Sequence, residues 1–598
     1  MKALTASFQK ALENAGLRPV EIALADWGLR HGGGQAGALG LALCHLAVSR
    51  GETCLRLDPT ATRTENGLTL MDPDTFRDAL QDNPLVATPE DAAALPLIRD
   101  GERLYLQRYW AYEARLAQCL RTLMATPPAT VDPEALVANA LFDGPSDGEA
   151  DWQAVAAFVA QRQRLAVISG GPGTGKTYTV VRLLVQRLRT ALAHGEAPPV
   201  IRLAAPTGKA AARLMASVRD GLDQLQPEAS VSEHLPATAT TLHRLLRLRP
   251  DSTRPGHDAD NPLPADLVVV DEASMVDLPL MAKLADALPG TAQLILLGDR
   301  YQLASVESGA VLADLCSAAG VNAFSAELQQ AAGPLLPQHE APGNPTPLGD
   351  HVVTLRTSHR FRADRPIGRL AAAINRGDAD AAMAVLAEAD PELTSHDNTE
   401  GETVTARVEA LADAYSAIHE AATPEAGLEA LETLRLLTVT RVGPLGSQAL
   451  NERITRTLAA RHGFDPLARW YHGRPVMIRH NEPRAGLYNG DVGIVWRGPE
   501  EVRVWFRTED GLRAFEPGLL PDHESVYAMT VHKAQGSEFE AVSLLLPGEP
   551  APLLSRELLY TAVTRARSRL TVAGPRHVWE AGIAHRIKRE TGLTERLT

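Results

Sequence analysis

The chain has 598 residues, of which 45% are hydrophobic and 22% charged, the balance of an ordinary globular protein rather than a disordered, collagenous or coiled-coil one. No apolar run reaches the ~18–20 residues that span a bilayer, and the four cysteines (Cys44, Cys54, Cys119, Cys316) form no CxxC pair, which argues against a zinc ribbon, an iron–sulfur cluster and a disulfide framework. The net charge of −14 argues against a general coat for polyanions while leaving room for a local basic channel.

Met1–Leu17 interleaves Lys2, Lys10 and Glu13 with apolar residues, which is not the pattern of a signal peptide, and with the scarce cysteines it points to a reduced, cytoplasmic compartment. Residues 1–123 read as a helical domain, with helical spacing over Ala36–Ser49, Pro89–Ile98 and Leu104–Leu123. The Pro/Asp/Gly-rich stretch 124–150 reads as a linker. From residue 151 to 350, apolar strands at Leu165–Ser169, Ile201–Ala204, Leu267–Val270 and Gln293–Leu297 alternate with helical patterns, which predicts a parallel sheet covered on both faces. A polar excursion at 248–265 interrupts this first α/β unit. A second unit, 351–598, carries buried strands at Leu434–Thr440, Ala541–Leu546 and Leu570–Ala573. Within it, at about residues 466–524, short alternating strands around the turn Asn489-Gly490-Asp491 predict a small antiparallel barrel.

Gly170-Gly171-Pro172-Gly173-Thr174-Gly175-Lys176-Thr177 lies between a predicted strand and a predicted helix, the context of a phosphate-binding loop. Its glycines let backbone N–H groups converge on phosphate oxygens at a helix N-terminus. Lys176 is placed to reach the β- and γ-phosphates, and Thr177 to hold Mg²⁺. Leu267–Val270 then delivers Asp271 and Glu272 to the carboxyl end of a strand, Asp271 for Mg²⁺ through water and Glu272 to polarise an attacking water. Gln302 ends the next strand as a neutral sensor of the γ-phosphate, and Gln153 could read the edge of adenine. Arg360 and Arg565 lie in the second unit, from which an arginine can neutralise transition-state charge. ATP and Mg²⁺ are therefore the expected ligands. Thr207, Lys209, Arg213, His243, Thr530, His532 and Lys533 provide hydroxyls and cations suited to a nucleic-acid backbone. Only seven of the 59 basic residues are lysines, yet three of them, Lys176, Lys209 and Lys533, fall in these segments.

In order, these segments resemble the motifs of superfamily 1 helicases, over about residues 150–575. More narrowly, GGPGTGKT, APTGKAAARL, VVVDEASMVD, GDRYQLASVESGAVL, HKAQGSEF and YTAVTRAR resemble RecD, the alpha-subunit family of exodeoxyribonuclease V. Ala36–Asp58 and Leu104–Tyr109 resemble the N-terminal domain of that family, which docks on RecC. The resemblance implies two RecA-like motor domains, an SH3-like inserted barrel and 5′→3′ unwinding of DNA. It also implies RecB-like and RecC-like partners, double-stranded DNA ends and single strands as ligands, and no membrane. The excursion at 248–265 occupies the place of the duplex-splitting pin. No nuclease cluster is evident in the sequence, so nuclease activity is expected on a partner. The rival readings are a stand-alone RecD-like helicase and a nucleotide-dependent DNA clamp that does not translocate.

Overall fold

The computed structural model describes residues 5–598 apart from 65, 92–94, 139–140, 146–148, 250–251, 253, 337–344, 359–363, 398–400, 483, 499–500 and 509–510. Among these residues no helix is long and apolar enough to cross a membrane.

The N-terminal region is not purely helical. Helices Pro19–Arg30 and Gly34–Ser49 pack against a four-stranded sheet built from β1 (Leu55–Arg56), β2 (Val86–Ala87), β3 (Leu97–Asp100) and β4 (Arg103–Leu106), in the order β1-β4-β3-β2. The helix expected over Pro89–Ile98 is instead a short 3₁₀ turn at Pro89–Asp91 followed by β3. Pro96 has no amide to donate and disfavours helical geometry at Leu95, so a helix running through to Ile98 is broken there. The helix expected from Leu104 begins at Gln107, after β4.

That helix, Gln107–Met124, belongs to the first α/β lobe by packing: Leu116, Ala117, Leu120 and Leu123 share a buried cluster with Leu278, Met281 and Leu284 of helix Leu278–Asp286. Leu120 is fully buried, so Leu120→Ala should destabilise the first lobe by about 2–5 kcal/mol through lost burial and a residual cavity. A denaturant melt of the full chain checks this; a change below ~1 kcal/mol would place the helix outside the core. The stretch expected as a linker is also tied down. It forms helix Pro133–Ala138, and Leu136, Leu141 and Phe142 are buried against the first lobe.

The first lobe holds β5 (Leu165–Ser169), β6 (Ile201–Ala205), β7 (Ala239–Thr241), β8 (Leu267–Val270), β9 (Gln293–Gly298) and β10 (Val352–Thr354), all parallel in the order β10-β5-β9-β8-β6-β7. β5, β8 and β9 are buried along their whole length, as a sheet covered on both faces requires. Among the described residues of the excursion at 248–265 no strand forms. Gly256 and His257 donate to the carbonyl of Leu246, and Leu263 is buried, so this part folds back on the lobe.

The second lobe is a parallel sheet of β11 (Leu393–His396), β12 (Leu434–Thr438), β18 (Ala528–Thr530), β19 (Phe539–Leu545) and β20 (Ala566–Ala573), in the order β11-β20-β19-β12-β18. Between β12 and β18 the chain builds an antiparallel sheet of β13 (Pro475–Ile478), β14 (Val492–Arg497), β15 (Val502–Thr508), β16 (Gly511–Phe515) and β17 (His523–Ser525), in the order β16-β15-β14-β13-β17. Its own core includes Val476, Ile478, Val504 and Phe506.

Candidate nucleotide cleft and strand-binding surface

The phosphate-loop segment joins β5 to helix Lys176–Ala193. Gly175 takes a left-handed conformation (φ +85°), which strains any residue with a Cβ, and the Gln153 amide lies over the place that Cβ would take. Gln153 itself donates to the carbonyl of Thr174 at 3.0 Å, anchoring the loop from helix Trp152–Arg162. Thr174 Oγ1 donates to the carbonyl of Gly171 (2.9 Å), and Lys176 Nζ donates to the carbonyls of Gly170 (2.6 Å) and Gly171 (3.1 Å). Thr177 follows Lys176 in the first helical turn.

The buried β8 ends at Asp271 and Glu272. Glu272 is held left-handed (φ +51°), a strained conformation for a residue with a side chain, of the kind that costs about 1–3 kcal/mol. Its amide donates to Oδ1 of Asp271 (2.9 Å). Burial, and then the Glu272 carboxylate, push the Asp271 carboxyl up, while Lys176 and Arg213 oppose them. Two acidic groups in one low-dielectric corner therefore carry negative charge that the protein's cations only partly offset. Beyond β9, Asp299 accepts from Tyr301 N (3.0 Å), Gln302 Nε2 (3.2 Å) and the hydroxyl of Tyr560 (2.9 Å), the last across the lobe interface.

The second lobe closes the site. Arg565, 1% exposed, donates from Nε to Thr561 O (3.1 Å) and from Nη1 to Ser537 O (3.0 Å), with Glu272 and Glu538 its nearest counter-charges. Gln535 Nε2 donates to Leu303 O (2.8 Å), and Leu303 N to Thr561 Oγ1 (2.9 Å). Gln153, Lys176, Thr177, Asp271, Glu272, Gln302 and Arg565 line a single cavity of about 610 Å³. Arg360 falls outside the described residues.

The residues expected on a strand-binding surface divide. Arg213 lines the same cavity as Lys176 and Arg565 and pairs with Glu538. Thr207 caps helix Gly208–Leu225, accepting from Ala210 N (3.2 Å). Lys209 is half-buried at the lobe interface, 5.9 Å from the Phe539 ring, and burial, then Arg435, bring its ammonium down to about 8. His243 is exposed, not packed in the core; Thr530 is buried at the end of β18; His532 is half-buried; Lys533 is exposed and paired with Glu524. Asp299, Tyr560 and Thr561 went unassigned in the sequence, since nothing local marks a contact between residues 261 positions apart.

Comparison with known proteins places this geometry. A family model described as the N-terminal domain of RecBCD enzyme subunit RecD matches residues 13–105, an AAA domain matches 152–308, and a UvrD-like helicase C-terminal domain matches 525–573. The RecBCD enzyme subunit RecD of Mycolicibacterium smegmatis is 39% identical, over 94% of this chain and 93% of its own. The chain belongs to the RecD family. The RecD subunit of Haemophilus influenzae is 36% identical over 82% of this chain and 79% of its own length. The ATP-dependent RecD2 DNA helicase of Deinococcus radiodurans is 32% identical over 86% of this chain but only 61% of its own length. Among solved structures, a Pif1 helicase from Bacteroides in complex with ADP-AlF3 and ssDNA aligns at 16% identity with a TM-score of 0.38, over 72% of this chain and 92% of that one, too distant a likeness to carry an argument. The match to the RecD N-terminal domain ends within β4, just before helix Gln107–Met124 turns into the first lobe. In this RecD-family chain that match covers most of the N-terminal stretch expected over residues 1–123.

Proposed function

We propose that the chain is the ATP-driven helicase subunit of a RecBCD-type enzyme, moving 5′→3′ along single-stranded DNA drawn from double-stranded ends. The observation that carries this reading is the shared cavity, in which Lys176, Asp271, Glu272 and Gln302 of one lobe face Arg565 of the other. Such a site completes itself only when the lobes close, which couples turnover to movement between two strand-binding surfaces. Both lobes are read as RecA-like, and the inserted antiparallel sheet as an SH3-like barrel.

Lys176 would exchange its two backbone carbonyls for β- and γ-phosphate oxygens. Glu272 orients the attacking water and takes its proton, Gln302 reports the γ-phosphate, and Arg565 neutralises charge as the phosphoryl group transfers. The oxygen donors that Thr177, Asp271 and Glu272 bring to one cavity suit a hard divalent cation: Thr177 and Asp271, the latter through water, would hold Mg²⁺, which would supply positive charge to the phosphate oxygens. Gln153 remains the candidate for adenine, and its hold on the phosphate loop would link base recognition to phosphate binding.

Family membership and the match to the RecD N-terminal domain support RecB-like and RecC-like partners, and a subunit over a stand-alone helicase. On this reading the protein works in the cytoplasm, and a partner supplies nuclease chemistry. Affinity capture from the native host, followed by partner identification, tests the assembly: recovery of two large subunits supports it, and recovery of the chain alone in active form contradicts it.

Strand binding should release about 0.7 counterions per phosphate contact, so Lys209→Ala and Lys533→Ala should each flatten the log–log salt slope by about that amount. For Lys209 the ammonium is charged below pH ~8 and lost above it, so its share of the slope should fade between pH 7 and 9. Fluorescence anisotropy of labelled single strands over salt and pH measures both. Unchanged slopes in the two variants would remove these lysines from the strand path.

A further inference from the structure

The segment that follows Gln302 is gripped from three sides. The second lobe holds Leu303 through Thr561 and Gln535. The N-terminal unit holds its far end: Gly309 N donates to Gly51 O (2.9 Å), and Ser308 Oγ donates to Val48 O (2.8 Å). The third grip comes from the C-terminal segment, which leaves helix Arg576–Ala584 and returns to the first lobe, where Leu593 and Leu597 are buried beside Leu116 and Leu120. On that path the guanidinium of Arg589 donates to three carbonyls at once: Ser305 O (2.6 Å), Glu307 O (2.9 Å) and Gly309 O (2.9 Å). Gly51 lies over the same guanidinium. Its φ is +90°, and a Cβ on it would come within 2.7 Å of Cζ.

A planar guanidinium with five donors can fix three converging carbonyls in one geometry, whereas an ammonium provides three donors around a single atom and no rigid plane. Arg589 makes these bonds to backbone, not to a carboxylate, so what it sets is the shape of a loop. That loop begins three residues after the amide facing the nucleotide cavity.

We propose that Arg589 is a positioning residue for Gln302, and that through it and Gly51 the C-terminal segment and the N-terminal unit set the geometry of the γ-phosphate sensor. The proposal rests on reading the cleft as the ATP site. It gives the N-terminal unit, to which no catalytic role is assigned here, a physical route to the rate of hydrolysis.

The test is a double-mutant cycle on the full chain, reading DNA-stimulated ATP turnover with Arg589→Ala, Gln302→Ala and the pair. Arg589→Ala should lower kcat about tenfold while KM for ATP stays within twofold, and Arg589→Lys should recover only part of the loss. The double variant should be no slower than Gln302→Ala alone, within twofold, since a positioning group has nothing left to position. Gly51→Ala, which forces the guanidinium aside, should reproduce the kcat loss and takes the place of Arg589→Ala in the cycle if that variant fails to fold. A loss below twofold, or losses that multiply in the double variant, would overturn the positioning role. Wild-type protein without DNA-stimulated turnover would overturn the cleft reading itself, and this proposal with it.

Discussion

Replacing Lys176 by alanine is expected to abolish ATP hydrolysis, by at least about 10²–10³-fold in kcat, while leaving the fold intact. Among the described residues the ammonium donates to two carbonyls of its own loop and belongs to no hydrophobic cluster, so the variant should still fold, losing only the charge that faces Asp271 and Asp299. Its removal takes away the one lysine at the head of the phosphate loop, aimed at the β- and γ-phosphates where charge builds up during transfer. Steady-state turnover with saturating single-stranded DNA checks this. Hydrolysis within tenfold of wild type in a folded variant would mean that the phosphates bind elsewhere.

The second large effect concerns Arg565. Arg565→Ala should lower kcat by at least about 10²-fold with near-normal affinity for nucleotide, because a finger acts mainly in the transition state. The structure gives this arginine a fixed orientation: its Nε and Nη1 are tied to backbone carbonyls of its own lobe, and the remaining Nη2 belongs to a side chain that lines the shared cavity. Arg565→Lys keeps the charge but loses the fork, so it should recover only part of the rate. Equal losses in nucleotide binding and turnover would instead mark a structural ion pair with Glu272 and Glu538.

The parts of the cleft that were legible in the sequence are those whose chemistry is local. A phosphate loop needs glycines where the backbone turns left-handed, and Gly175, at φ +85°, is such a position. Asp271 and Glu272 were legible because four buried residues announce a strand and two carboxylates end it. The main strands of both lobes were legible for the same reason. The N-terminal sheet was not, because strands of two to four residues, such as Leu55–Arg56 and Val86–Ala87, are too short to show a period. Nor was the fate of helix Gln107–Met124: its apolar stripe shows that it packs, but not that its partner is Leu278–Asp286. Arg213 stands beside Lys209 in one motif, and only tertiary contact with Glu538 turns it toward the cleft. Arg589 lies in no motif. Its role depends on a chain segment that crosses from one lobe to the other, and sequence spacing does not encode that path.

On this mechanism, closure of the cleft drives the chain along a DNA strand in one direction. The most direct measurement is ATP-dependent strand displacement by the full chain on two otherwise identical duplexes, one with a 5′ single-stranded tail and one with a 3′ tail. Displacement is expected from the 5′-tailed duplex, dependent on ATP and absent with Lys176→Ala, and little from the 3′-tailed one. Displacement from the 3′-tailed duplex alone would contradict the direction, and ATP hydrolysis with displacement from neither would reduce the protein to a nucleotide-dependent clamp.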